Sequence, residues 1–434
     1  MNDVVEIRQA ESPLTAAARC VFVNRYYYPD LSATSQLLTD LTRATQAAGL
    51  ETIVVTSRAE YDNKNVRLPP EERIADVRVL RVWTTRFGRH HLVGRAADYL
   101  SFYLGAFISL LCLVRSKDVV VAKTDPPLLS VMVALVCRIR NARLINWLQD
   151  VFPEVAVRLG VLPAGVVFGM IRALRNWSLR IAHLNVVIGE RMAKVLCAEG
   201  IAPDSIAIIQ NWADGEMVRP LDPAANPLRV EWGLENRFVV GYSGNLGRAH
   251  DTVTLLAAAR ILETETDIVF LLIGGGAGSD GLREQARKSG LQNFQFQPYQ
   301  ARSRLAQSLG VPDVHLVSLR PELEGLIVPS KIYGICAAGR PCLFIGSPEG
   351  DVAEMLTQDG FGLTVHPGDG EGLAEAIREL RDNCDLRRKL SLAARNSFEM
   401  RYSRERAMAI WWRVLSNVAT DSFNSAALAS SKRS

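Results

Sequence analysis

"RFVVGYSGNLGRAHD", residues 237–251, is the stretch on which the fold turns. It starts as an apolar strand, passes Gly241, Gly244 and Gly247, and runs into a helical pattern. A strand emptying through glycines into a helix is the repeating unit of a doubly wound α/β sheet. Gly244 and Gly247 let backbone amides approach an anion, and the helix N-terminus adds its dipole. Asn245, Arg248 and His250 lie on the same turn. The spacing is not that of a P-loop, and a tight turn needed only for packing is the competing reading.

The same logic extends in both directions. Downstream, "DIVFLLIGGG" (267–276), "NFQFQPY" (293–299), "DVHLVSL" (313–319), "RPCLFIG" (340–346) and "FGLTVH" (361–366) read as strands separated by helical runs. Upstream, "RCVFVN" (19–24), "LETIVVTS" (50–57), "VRVLRVW" (77–83), "SKDVVVAKT" (116–124), "ARLINWLQD" (142–150) and "HLNVVIG" (183–189) form a second series, which ends there. Near-continuous Val, Ile and Leu strands alternating with helices predict parallel sheets covered on both faces.

A chain of 434 residues exceeds one ordinary core. The reading is a leader (1–18), a first Rossmann-like domain (19–205), a Pro- and Asp-rich linker (206–230) and a second Rossmann-like domain (231–395). One long helix (396–418) is expected to brace both domains across a cleft, with a disordered tail at 419–434.

Hydrophobic residues make up 48% of the chain and charged ones 22%, as in a well-cored globular protein. A net charge of +4 is too small to point to nucleic acid as the main partner. Seven scattered cysteines and six dispersed histidines show no metal-site spacing, so reduced thiols in a cytoplasm and no bound metal are expected. The opening residues lack the apolar core of a signal peptide. "YLSFYLGAFISLLCLV" (99–114) is sixteen residues. At about 1.5 Å per residue it falls short of the roughly 30 Å of a bilayer core, so a buried helix is preferred to an interface-seated one or a true span.

Ligands of doubly wound sheets bind beyond the carboxyl ends of the strands. "IGGGAGSDG" (273–281) matches GxGxxG, but no acidic residue ends the next strand, so it reads as a structural turn near a cleft floor, with Gly275 beside the ligand. Tyr299 follows that strand and is placed to stack on a base, with a core aromatic as the alternative. "VSLRPELEGLIVPSK" gathers Arg320, Glu322, Glu324, Leu326, Ser330 and Lys331 within a dozen residues. Cations with amides suit a diphosphate, and carboxylates suit sugar hydroxyls. In isolation, a lysine among apolar residues more often snorkels to solvent.

"GNLGRAHD", the "IGGG" turn, "EGL" followed by "PSK", and "AAGRP" together resemble the donor domain of retaining GT-B glycosyltransferases of family 4. "YYYPDLSATSQLLTDL", "KTDPPLL", "LQDVFPEVAVRLG" and "IIQNWAD" are similar to segments of its bacterial polysaccharide subgroup, the O-antigen, capsule and colanic-acid type that includes L-fucosamine transferases. The likeness covers about residues 20 to 415. It implies a UDP-sugar co-substrate, no cofactor, retention at the anomeric carbon without a metal, and transfer to a polyprenyl-diphosphate-linked or oligosaccharide acceptor.

The chain departs from the family at three places. Gly334 stands where the family has a second Glu at the ribose. Asn245 and His250 replace its first-loop Arg and Lys, leaving Lys331 with Arg248 or Arg320 to hold the diphosphate. No early catalytic-side His is evident, and Asp150 is the substitute for orienting the acceptor hydroxyl, with a helix N-cap as its plainer role.

Glu324 is assigned to donor-sugar hydroxyls, and Ser32, Thr34 and Asp125 to the acceptor side. The helix "GVVFGMIRALRNWSLRIAH" (165–183) interleaves Arg with apolar residues, as interfacial helices do. Together with 99–114 it leads to the expectation of a cytoplasmic protein docked peripherally on the inner membrane face, with two core helices carrying snorkelling arginines as the alternative. A UDP-sugar 2-epimerase of the same fold and a catalytically silent sugar-nucleotide-binding protein are the rival readings.

Overall fold

The computed structural model describes residues 19–61, 66–88 and 92–420. The leader expected at 1–18 and most of the tail expected after 419 lie outside the described residues.

Two sheets organise the chain. The first contains β1 (Arg19–Val23), β2 (Glu51–Ser57), β3 (Glu71–Ile74), β4 (Val77–Val82), β5 (Val119–Lys123), β6 (Arg143–Trp147), β7 (Leu184–Val187) and β8 (Ile206–Ile208), in the order β3-β4-β2-β1-β5-β6-β7-β8. β3 runs antiparallel to β4, whereas β1 is parallel to both β2 and β5. The second sheet has β9 (Phe238–Asn245), β10 (Ile268–Gly275), β11 (Phe294–Gln297), β12 (Val314–Ser318), β13 (Cys342–Ile345) and β14 (Gly362–Val365), ordered β11-β10-β9-β12-β13-β14 and parallel throughout. Both are Rossmann-like, with the strand order reversing beside β1 in one and beside β9 in the other. Fully buried strands such as β1, β5 and β12 explain the unbroken apolar runs.

Two strands escape the sequence reading. β3, "EERI", alternates exposed and half-buried positions at a sheet edge and carries no apolar run. β8 is only three residues long.

By internal contacts the described residues divide into one unit of those up to 146 with 181–184 and 411–420, and another of 147–180 with 185–410. This division differs from the boundary expected at 205. The segment 396–418 is also not one helix. The helix Cys384–Ser397 passes through a wider turn, Phe398–Tyr402, and stops at Ser403, whose ψ is 150°. The helix Arg404–Ala419 starts afresh. The cause is backbone pairing: Ala213 bridges Ser403, donating to the Tyr402 carbonyl at 3.2 Å and accepting from Arg404 at 3.2 Å. A strand-like residue cannot also continue a helix.

Glycines mark where backbones crowd. A side chain on Gly241 in β9 would collide with the Pro312 ring, whereas one on Gly281, inside the helix Ala277–Lys288, meets nothing within 4 Å. Gly241→Ala should therefore destabilise by about 1–3 kcal/mol through overpacking. Gly281→Ala should stabilise by about 0.5–1 kcal/mol by relieving a helix-interior glycine. Urea-unfolding midpoints moving in opposite directions would bear this out, and a shared direction would refute it.

Candidate active site

The reversal of strand order between β9 and β12 opens a crevice beyond their carboxyl ends. Two loops leave from there, 246–252 after β9 and 319–330 after β12, and they are zipped together. The Arg320 amide donates to the Ala249 carbonyl (2.9 Å), the Asp251 amide to Ser318 Oγ (2.7 Å), and His250 Nδ1 bonds the Ser318 carbonyl (2.7 Å).

Lys331 starts the helix Lys331–Ala337 that follows the second loop. Its ammonium lies 3.6 Å from the centroid of the Tyr242 ring and donates to the Tyr242 hydroxyl. That hydroxyl donates in turn to the Asn245 carbonyl at 3.0 Å. Among the described residues no carboxylate pairs with Lys331. Burial pushes its pKa down to about 7. His250 packs edge-on against the other side of Tyr242 and is held down to about 4, by burial first and the neighbouring Lys331 second. The imidazole is therefore neutral at ordinary pH, and the one charge at the crevice floor is that of the amine.

The glycine loops serve each other as well as any ligand. Leu246 donates to the Gly275 carbonyl and Gly278 to the Leu246 carbonyl, both at 2.8 Å. A Cβ on Gly276 or Gly278 would run into Asn245 or the Leu246 carbonyl. Gly244 has φ 111° and open space where a side chain would stand, so backbone is presented to the crevice there. The Tyr299 ring is 62% exposed and lies over Gly274 and Gly275. It is therefore not a core aromatic.

Of the two cations expected beside Lys331, Arg320 in the second loop is already paired with Glu322, while Arg248 in the first is exposed and, among the described residues, has only its carbonyl engaged, by Arg320. Leu326 is a correction. Its side chain is buried in the core, its amide donates to Leu323 (3.0 Å) and its carbonyl accepts from Val151 (2.9 Å), which leaves it nothing to offer a ligand.

Glu324 packs against Gly350, at the start of the helix Asp351–Asp359, where any side chain on Gly350 would strike its carboxylate. Burial raises its pKa to about 7, with the negative charge of Asp351 as the second cause. Asp351 Oδ1 accepts the Arg191 amide at 3.1 Å, and its own pKa is also raised by burial. Glu324 Oε1, Asp351 Oδ2 and Arg191 Nε are buried without hydrogen-bond partners. Asp150 joins this neighbourhood by an antiparallel bridge to Ile327. It is not the expected helix N-cap, because Pro153 holds that position for the helix Glu154–Arg158.

Ser32, Thr34 and Asp125, expected on the acceptor side, lie in the segments that follow β1 and β5. Ser32 precedes the helix Ala33–Ala47 but spends its hydroxyl on Asp30. The Thr34 carbonyl accepts Lys123 Nζ at 3.0 Å, and the Asp125 carbonyl accepts the Arg25 amide at 2.8 Å. Lys123, Tyr242, Asp351 and Arg191 were absent from the sequence reading. Only Lys123, a lysine closing the apolar run "VVVAK", carried a signal there.

Two Rossmann-like sheets with cationic and glycine-rich loops at a switch point define the GT-B class of glycosyltransferases. The comparisons agree on this fold. Sucrose-phosphate synthase of Thermosynechococcus elongatus superposes with a TM-score of 0.72 at 16% identity over 92% of this chain and 98% of that one. Anabaena HepE in complex with UDP and glucose gives 0.68 at 16% over 92% and 99%.

By sequence, residues 226–397 match the family model "Glycosyl transferases group 1". WbjE of Pseudomonas aeruginosa, named as a glycosyltransferase, is 30% identical over 64% of this chain and 69% of its own length. WcaI of Escherichia coli K12, named for colanic acid biosynthesis, is 24% identical over 81% and 89%. The chain belongs to the glycosyl transferases group 1 family.

The raised Glu324 pKa makes a signed prediction. A carboxyl that holds its proton more tightly when folded stabilises fully below its unfolded value of 4.5, and that contribution is lost as pH rises to about 7. Between those values the unfolding free energy of the parent should fall relative to that of Glu324→Gln by on the order of 3 kcal/mol. A pH-independent difference would mean that Glu324 titrates normally.

Proposed function

We propose that the chain transfers a sugar, an N-acetylated or deoxy hexosamine, from a UDP-sugar to a lipid-linked or oligosaccharide acceptor in bacterial surface polysaccharide synthesis. The acceptor is carried on polyprenyl diphosphate, and the reaction is retaining and uses no metal. The observation that carries this reading is the Lys331 ammonium, half-buried at the switch point with no carboxylate partner among the described residues. Such a charge is costly until an anion meets it. The UDP bound to HepE and the name of WcaI support the choice of nucleotide and of pathway class.

In the proposed step the acceptor oxygen bonds to the anomeric carbon on the face from which the diphosphate departs. The carbon–oxygen bond to the β-phosphate breaks, and the acceptor proton ends on the departing phosphate or on Asp150. Negative charge grows on the β-phosphate oxygens. Lys331 and the exposed Arg248 are placed to meet it, with the amides around Gly244. Tyr242 holds the amine in position from below. Tyr299, exposed over the glycine loop, offers a face for the uracil. Glu324 faces the sugar hydroxyls. No second Glu supports the ribose, since Gly334 replaces it.

Removing one such preorganised donor costs about 10²–10³ in rate, so Lys331→Ala should lower kcat by that factor. Product analysis with UDP-hexosamines and polyprenyl-diphosphate sugars tests the whole assignment. Joined product supports transfer, an epimerised nucleotide sugar would replace it with 2-epimerisation, and binding without turnover would leave only a nucleotide-binding protein.

The Lys331 pKa of about 7 in the empty site adds a linkage test. UDP favours the ammonium, so between about pH 7 and the amine's ordinary value of 10.5 binding should take up a proton and weaken as pH rises. Calorimetry in buffers of different ionisation enthalpy reads that proton directly. Uptake unchanged in Lys331→Met would remove Lys331 from the diphosphate.

A further inference from the structure

Arg95 and Asp98 apart, the helix Leu92–Leu113 carries no charged residue, yet most of it lies at the surface. One row of side chains, Asp98, Phe102, Ala106, Leu110 and, just beyond the helix end, Val114, is buried against the first sheet's unit. A second row is offset by two residues, and so turned by about 200° on a helix of 3.6 residues per turn. It contains Leu100, Leu104 and Ile108, each more than half exposed at 67%, 63% and 54%. Val93 continues that exposed face to the helix start. A helix this apolar is ordinarily enclosed by protein or by lipid, and only 22% of this one's most apolar window is enclosed by protein. The expectation of a buried core helix at 99–114 therefore fails on its outer face.

The ends of the helix differ in chemistry. At its start stands Phe87, 64% exposed and packed where a Gly94 side chain would be, while Trp83, 66% exposed, lies beside Gly105 farther along the helix. At its end stand exposed Arg115 and Lys117. Arg140 also lies there, from the neighbouring helix Leu129–Arg140, donating to the Val114 carbonyl at 2.8 Å. Asp118, the acidic residue nearest in sequence, is buried and bonded to Arg19 at 2.6 Å, so it does not offset these charges at the surface. An exposed aromatic ring at one end and another alongside, aliphatic side chains from Val93 to Ile108 over about 23 Å of helix, and uncompensated cations at the other end match an interfacial helix on an anionic bilayer.

The other helix read as interfacial, Val166–Ile181, also exposes Val166, Val167, Met170 and Leu174, but its arginines are engaged. Its Arg175 is buried on Glu154 (2.7 Å), and Arg172 pairs with Glu199 (2.7 Å). Those arginines are structural.

We propose that the outer row of Leu92–Leu113, with exposed Trp83 and Phe87 beside the helix and the cations at its far end, seats the protein in the interface of an anionic lipid bilayer. This deepens the proposed lipid-linked acceptor by saying which surface meets the membrane, but it stands on its own observations.

Flotation of the full chain with phosphatidylglycerol/phosphatidylethanolamine vesicles and with phosphatidylcholine vesicles tests it. Binding should be at least tenfold stronger to the anionic vesicles and fall with added salt. The triple variant Leu100→Glu, Leu104→Glu, Ile108→Glu changes only exposed positions. It should keep the parental melting temperature and UDP affinity while losing at least tenfold in vesicle binding. Vesicle binding unchanged in a folded triple variant would overturn the assignment. So would a parental dimer that the variant breaks without any vesicle binding, which would make the face an interface between copies. Transfer to a soluble acceptor that survives while vesicle binding is absent would sink the docking face alone. Loss of transfer with docking intact would sink the proposed function alone.

Discussion

The contact between the Lys331 ammonium and the Tyr242 ring is the constraint around which the second sheet's crevice is arranged. An amine taken out of water loses solvation that one hydroxyl and one aromatic face replace only in part. That deficit is what depresses its pKa, and it leaves the amine poised for an anion. The strand supplies Tyr242, the loop after β12 delivers Lys331, and the Tyr242 hydroxyl is tied back to the Asn245 carbonyl. Loosening any one of these would let the amine swing to solvent, where a lysine is worth little as an electrostatic anchor.

The glycine turns follow from the same arrangement. Placing the amine at the crevice floor requires the loops after β9 and β10 to sit close together, and their mutual backbone bonds through Leu246, Gly275 and Gly278 hold them there. The formal GxGxxG match is thus explained by packing between two loops. Of the glycines in these two turns, Gly244 alone combines a left-handed backbone with open space above it. Glycine-rich loops of similar spelling therefore do different work in one domain.

Much of this architecture was legible because parallel strands buried on both faces read as unbroken apolar runs, and because Lys331 stands out against its apolar neighbours. Other parts were not. Tyr242 reads as one more core aromatic until the strand order sets Lys331 against its ring. Asp351 meets Glu324 only through the fold, from another loop of the sheet. The stop at Ser403 depends on Ala213, nearly two hundred residues earlier, and helical periodicity carries no trace of it. Periodicity also fails for Leu92–Leu113, because a helix apolar on both faces over most of its length gives no sign of which face is turned inward.

Glu324 and Lys331 share one loop, and both titrate near 7, for the same reason and with opposite consequences for charge. Burial favours the neutral form of each, so it raises the carboxyl and lowers the amine. On the acid side of neutrality the loop presents a neutral carboxyl and a cation, and on the alkaline side a carboxylate and a neutral amine. Its net charge thus passes from +1 to −1 across a narrow range, with His250 neutral throughout. A ligand carrying two phosphates favours the first state, while hydroxyl groups near Glu324 can be met by either state, as donors to a carboxylate or as acceptors from a carboxyl. Recognition of the charged end should therefore follow pH far more steeply than recognition of the sugar end. That asymmetry comes from burial, reinforced at Glu324 by the charge of Asp351, and requires no conformational change.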